Sequence, residues 1–250
     1  MKKILEVKNL NKSFEDTQVL NDINFKVNEG EFIAIMGRSG SGKSTLLYNI
    51  SGMDQPTSGN VLLNDKDITK LEDDKLSKVR LKSMGFIFQH SHLLKNLSIR
   101  DNIVLPGFKS GKQSREMVNQ KAEALMVQTG ISNVADHDIK KVSGGQLQRA
   151  AICRALINQP DILFGDEPTG ALNSSTTREV MDILNTVNQE GTTVILVTHD
   201  AKVAARAGRV IFLMDGAIHD ELSLGEYDQH EKDLSSREKK LTEWLDKQGF

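Results

Sequence analysis

The sequence predicts an α/β fold built on a mainly parallel sheet, and three observations predict it. Five short apolar runs, at residues 32–36, 85–88, 162–164, 194–197 and 210–214, have the length and composition of strands buried on both faces. Helical stretches separate most of these runs, an order that places functional loops at the carboxyl ends of the strands. The first 30 residues instead alternate polar and apolar, at Leu5, Val7, Val19, Ile23, Phe25 and Val27, as antiparallel strands flanking a main sheet do.

Composition bounds what such a fold can be. With 250 residues and 38% hydrophobic content, the chain is long enough to bury a substantial core. The 32 Lys and Arg against 34 Asp and Glu leave a net charge of −2, without the basic excess of a protein held by nucleic-acid phosphates, so no nucleic-acid partner is expected. A single cysteine, Cys153, excludes an internal disulfide and reads as a small buried hydrophobe among Ala151, Ile152 and Ala155. Glu6 arrives too early for a signal-peptide apolar stretch, and no apolar run approaches the roughly 20 residues of a membrane span, so the chain reads as soluble.

Along the chain, the run at 32–36 leads into a glycine-rich turn and then a helix at 45–50. From Ser98 to about Ala155 the strand signal disappears, and residues 114–128, closed by Gly130, read as a helix with a glycine stop; this is a helical insert. After Leu222 the composition turns polar. Residues 227–250 hold a terminal helix predicted to begin at a capping box, Ser235, Ser236, Arg237 and Glu238, with Leu234, Leu241, Trp244 and Leu245 on one face. That face suits a helix folded back on its own domain, with docking to a partner as the alternative. The expected division is a main domain at 1–222, containing the insert at about 98–155, and a tail at 223–250.

The turn after the first apolar run carries the clearest chemistry. Gly37, Arg38, Ser39, Gly40, Ser41, Gly42, Lys43 and Ser44, followed by Thr45, complete the G-x-x-x-x-G-K-[ST] spacing between a strand and a helix. Its glycines let backbone N–H groups turn inward around phosphates, and the helix start adds partial positive charge. Lys43 is predicted to reach the β and γ phosphates of ATP, and Ser44 to ligate Mg²⁺. The run at 162–164 ends in two acids: Asp166, expected to hold the ion, and Glu167, expected to orient and deprotonate an attacking water. The fold is therefore expected to be a P-loop NTPase core.

These residues, with Val142, Ser143, Gly144, Gly145 and Gln146, resemble the nucleotide-binding subunits of ABC (ATP-binding cassette) transporters over roughly residues 4 to 220. The 142–146 segment looks like that family's signature motif and makes the insert its helical signature subdomain. A serine and two glycines at a helix start form a second anion cradle. The resemblance implies that Ser143 to Gln146 of one copy face the Lys43 loop of another, in a head-to-tail dimer sandwiching two ATP molecules. It further implies that Gln89 touches Mg²⁺ or water and faces a membrane partner, that His199 contacts the γ-phosphate, and that Phe14 stacks on adenine, the alternative for Phe14 being a core phenylalanine.

Four positions depart from the family's pattern. Val142 replaces leucine, a mild change. Gly165 stands before Asp166 where a larger residue is common, which predicts a looser strand end. Asn173 replaces an aspartate, removing a charge that helps the two sites of the dimer communicate. Phe14 lacks a tyrosine's hydroxyl.

Residues 84–89, Leu93, Leu94, 101–103, Leu105, Pro106 and 166–170 look like the branch that serves lipoprotein release, macrolide and peptide export, and bacitracin-type antimicrobial-peptide resistance. The resemblance implies an ATPase at the cytoplasmic face of a bacterial membrane, powering a separate integral-membrane permease with a large extracytoplasmic domain. Antimicrobial-peptide export or resistance is the first reading; lipoprotein-release or macrolide-type export, and then a soluble non-transport cassette ATPase, are the alternatives.

Overall fold

In the computed structural model, residues 2–228 and 233–250 are described. The chain runs β1 (Lys3–Phe14), β2 (Thr17–Asn28), β3 (Phe32–Met36), α1 (Lys43–Ile50), β4 (Ser58–Leu63), β5 (Lys66–Asp67), α2 (Asp73–Ser83), β6 (Met84–Phe88), α3 (Ile99–Ser110), α4 (Arg115–Gln128), α5 (Gly144–Leu156), β7 (Ile162–Asp166), α6 (Ser174–Gln189), β8 (Thr193–Val197), α7 (Ala201–Ala204), β9 (Arg209–Met214), β10 (Ala217–Ser223) and α8 (Leu234–Lys247). The main sheet has the order β10-β9-β3-β8-β7-β6. Its ladders are parallel except at the edge, where β10 pairs antiparallel with β9. A second sheet, β2-β1-β4-β5, is antiparallel throughout.

Strand period dictates how the layers meet. In β3, Ile33 and Ile35 face one side and Phe32, Ala34 and Met36 the other, and all five are buried. The Ile33 side shares a core with Leu46, Leu47 and Ile50 of α1 and with Leu5, Val7, Leu20 and Ile23 of the antiparallel sheet. The Phe32 side is covered by Ile152 and Leu156 of α5, Val180 and Leu184 of α6, and Leu241 and Leu245 of α8. A third core joins α3, α4 and α5 through Ile103, Val118, Met126 and Cys153, and Val142 packs against it.

The fold class is the one expected, with refinements. The helix after the phosphate loop begins at Lys43, two residues before the predicted start. Strands β4 and β5 were not predicted; they are short and largely polar, and they form by pairing, β4 with β1 and β5 with β4. Strand β10 runs to Ser223, one residue past the expected domain end.

The predicted start of the terminal helix needs correcting. Ser235 and Ser236 lie inside α8, which begins at Leu234 with Asp233 as a cap whose side chain accepts no capping hydrogen bond; residues 229–232 of the predicted tail lie outside the described residues. Packing sets this start. The buried Arg237 guanidinium donates to the carbonyls of Ala205, Ala207, Leu224, Gly225 and Glu226, which fixes the first turn of α8 against the domain. Leu241 and Leu245 enter the core, and Trp244 packs edge-on against Phe212 at 6.0 Å. Among the described residues, no helix is long and apolar enough to cross a membrane.

Candidate functional site

The carboxyl end of β3 opens into the 37–44 loop, and backbone conformation explains its glycines. Gly40 and Gly42 have φ of 79° and 96°, where side chains are strained, and a Cβ on Gly37 would lie 2.1 Å from the carbonyl oxygen of Leu213. Lys43 Nζ bends back to donate to the carbonyls of Gly37 at 2.9 Å and Arg38 at 2.8 Å. Burial lowers its proton affinity, while Glu167 and Asp166 oppose that shift.

Strand β7 brings the acids to this loop. Ser44 Oγ donates to Asp166 Oδ1 at 2.9 Å, and Tyr48 Oη donates to Oδ2 at 2.6 Å. Burial, reinforced by the bond to Asp166, pushes the Tyr48 phenol up to about 12. Ser44 and Tyr48 stand four residues apart on α1, so one helix face holds both oxygens of the carboxylate. Glu167 follows in a left-handed conformation, φ 47°, and its N–H donates to the Val197 carbonyl at 3.0 Å, joining the ends of β7 and β8. His199 Nδ1 lies 3.0 Å from Glu167 Oε1.

These elements enclose a cavity of about 700 Å³, lined by Ser39, Gly40, Gly42, Lys43, Ser44 and Thr45 of the loop with Val19, Glu167 and His199. The other predicted site residues stand apart from its lining. Gly37 and Ser41 are buried, whereas Arg38 is exposed and its guanidinium donates to the carbonyl of Gly249. Gln89 adjoins the turn that follows β7: a Cβ on Gly170 would lie 3.0 Å from Gln89 Nε2 and 3.3 Å from Glu167 Oε2. Phe14 is 50% exposed, which removes the core-phenylalanine alternative, and Lys12 Nζ sits 4.7 Å from its ring centre.

Ser143, Gly144, Gly145 and Gln146 also lie away from the cavity, at the start of α5. Ser143 Oγ accepts from the Gln146 N–H at 3.3 Å, and Gln146 Oε1 accepts from the Ser143 N–H at 2.8 Å, a reciprocal capping box legible in the S-x-x-Q spacing. Ser143 and Gly144 are exposed, with open space where a Gly144 Cβ would point.

Two departures acquire a local explanation. Gly165 is not a loose point: it is paired with Ile87 on one side and Leu196 on the other, and a Cβ there would lie 2.3 Å from Leu196 Cδ2. The strand end is held by two ladders, and the expectation of looseness is overturned. Asn173 caps α6, its side chain accepting from the Thr176 N–H at 2.9 Å. Tyr48 and Gln148 were missed as site-adjacent residues. The Ser44–Tyr48 helical spacing was a usable signal; Gln148 had none.

The family model described as ABC transporter matches residues 20–170, more than half of the chain. The chain belongs to the ABC transporter family. This cassette is 42% identical over 230 residues to the ABC transporter ATP-binding protein YxdL of Bacillus subtilis, covering 90% of the chain and 89% of that protein. It is 38% identical to the lipoprotein-releasing system ATP-binding protein LolD of Aquifex aeolicus, covering 89% of the chain and 99% of LolD. It is 44% identical over 219 residues to the macrolide export ATP-binding/permease protein MacB of Campylobacter fetus; that match covers 86% of the chain but 34% of MacB, so the cassette spans about a third of such relatives. The solved dimer of the ATP-binding cassette MJ0796 in a post-hydrolysis state with ADP and Pi superposes with a TM-score of 0.83 at 38% identity, covering 90% of this chain and all of that one.

Proposed function

We propose that this chain binds and hydrolyses ATP as the energy-supplying subunit of a transporter, working as a head-to-tail dimer on a separate membrane permease. One observation carries the reading: the cavity gathers Lys43, Ser44, Glu167 and His199, while among the described residues none of Ser143 to Gln146 lines it. The second anion cradle is exposed at the start of α5 and is free to meet a phosphate held by another copy. The MJ0796 cassette, solved as a dimer with ADP and Pi, supports this arrangement.

In this reading, backbone N–H groups of residues 39–44 and the Lys43 ammonium hold the β and γ phosphates; Lys43 leaves the Gly37 and Arg38 carbonyls to do so. Phe14 stacks on adenine. Ser44 Oγ and the Asp166 carboxylate, 2.9 Å apart, are hard oxygen donors of the kind Mg²⁺ takes, with the Gln89 amide as a further one. The ion would supply charge neutralisation on the phosphates. Glu167 accepts the proton of the attacking water, and His199 orients Glu167 and donates toward the γ-phosphate. Dimer closure moves the permease through the Gln89 region, and hydrolysis reopens it.

The permease sits in a bacterial membrane with this chain at its cytoplasmic face and carries a large extracytoplasmic domain. Antimicrobial-peptide export or resistance is the substrate class we assign. Macrolide-type export or lipoprotein release is the second reading, favoured by the names MacB and LolD among the relatives. A Glu167→Gln chain is expected to form a stable ATP-bound dimer with hydrolysis reduced about 10³-fold; a monomer in ATP sinks the sandwich mechanism. Affinity capture from detergent-solubilised membranes is expected to bring down a permease, whereas recovery with ribosomes or DNA would point to a soluble cassette ATPase.

A further inference from the structure

The helix that begins with the Ser143 cradle reaches the catalytic turn through one buried side chain. Gln148 on α5 is 2% exposed. Its Nε2 donates to the carbonyl of Phe88 at 2.9 Å and to that of Pro168 at 2.7 Å. Phe88 immediately precedes Gln89, and Pro168 immediately follows Glu167. Both N–H bonds of the amide are therefore committed, one to each of the segments that carry the family's glutamine and its acid. Further along the same helix, Arg154 donates to the carbonyls of Ser91 at 2.9 Å and His92 at 2.7 Å, so α5 grips the Gln89 segment at both ends. Phe88 is in turn paired with Asp166 across the β6–β7 ladder. A rigid helix, two buried bonds and a parallel ladder form one continuous connection from Ser143 to Glu167.

We propose that Gln148 is a positioning residue that couples occupancy of the Ser143 cradle to the alignment of Glu167 in the same chain. The proposal rests on the sandwich-dimer reading given above. There, the cradle of one copy covers the ATP held by its partner's Lys43 loop, while Glu167 acts on the ATP of its own loop. Gln148 thus ties the two nucleotides together: an ATP bound by one copy sets the catalytic turn of the other. This is the communication for which the aspartate missing at position 173 would have been expected, and Asn173 is committed to capping its own helix.

Mixed dimers isolated through two different tags test the link. Each dimer carries one Gln148→Met and one Glu167→Gln substitution, placed either in the same chain or in different chains. Total composition is identical, so any general loss of stability is shared. With both changes in one chain, the working Glu167 keeps its Gln148; with them in different chains, it loses it. Single-turnover ATP hydrolysis is expected to be about tenfold slower in the second arrangement, the scale of losing one or two net hydrogen bonds, with ATP affinity within about twofold. Equal rates in the two arrangements overturn the proposal, because a Gln148 that contributes only general stability lowers both alike. Gln148→Glu, which keeps the shape but loses the amide donor, repeats the comparison if the methionine chain does not fold. If the Glu167→Gln chain forms no ATP-bound dimer, the proposed function itself fails, and the link with it; that outcome is visible before any Gln148 variant is made.

Discussion

His199 Nδ1 stands 3.0 Å from Glu167 Oε1, across the ends of two adjacent parallel strands. The contact is set from both sides. Glu167 is held in a left-handed conformation with its N–H on the Val197 carbonyl, and His199 follows β8 two residues beyond that same Val197. Since the imidazole meets the carboxylate and not the loop, its removal is expected to act on the chemical step. His199→Ala should lower kcat about 100-fold with KM for ATP changed less than about threefold. Steady-state phosphate release measures both, and a raised KM at unchanged kcat would make His199 a binding residue only.

Tyr48 gives Asp166 its second hydrogen bond, at 2.6 Å. Tyr48→Phe keeps the ring and removes only the donor, so it should cost about 2 kcal/mol, the scale of a hydrogen bond to a charged group. Urea unfolding at neutral pH measures this. An unchanged midpoint would mean that water replaces the phenol at no cost.

Gly165 has no room for a methyl group. A Cβ would lie 2.3 Å from Leu196 Cδ2, and Leu196 is itself fully buried. Gly165→Ala should therefore destabilise the chain by about 1 to 3 kcal/mol through overpacking. In a double-mutant cycle, the added Leu196→Ala should relieve part of that cost. Strict additivity would show that the strain lies elsewhere.

Cys153 links stability to alkaline pH. Burial pushes its thiol up from 9.0 to about 12. Between these values the unfolded chain has lost the proton and the folded chain retains it, so stability falls as pH rises from about 9 toward 12. At pH 10.5 the loss amounts to about 2 kcal/mol. Cys153→Ala should flatten the decline of the urea midpoint between pH 8 and 10.5, and an unaltered slope would contradict this. The native thiol should also resist iodoacetamide at pH 8, reacting only on unfolding.

Arg237 shows where sequence patterns stop being informative. Residues 235–238 have the spacing of a capping box, yet the helix starts ahead of them, because the guanidinium finds five backbone carbonyls from two distant segments and docks the first turn there. The apolar face of Leu241 and Leu245 was legible; the helix start was not, since capping preferences of about 1 kcal/mol yield to a buried charge with a full set of acceptors.

By itself, the sequence determined those features whose information is local. The strand period of residues 32–36, the contiguous phosphate loop at 37–44, the apolar run ending in Asp166 and Glu167, and the 143–146 segment each need only a few neighbouring residues, because backbone geometry and phosphate chemistry constrain short stretches directly. Tertiary structure alone decided which distant groups share an atom. Tyr48 meets Asp166 across 118 positions, and Gln148 meets Phe88 across 60, through bonds that exist only once the sheet is assembled and α5 lies against it. Gly165 likewise reads as a weak point in the chain and becomes a tight one in the fold, since the neighbour that makes glycine necessary, Leu196, arrives from another strand. No periodicity encodes such meetings; close packing of the whole core does.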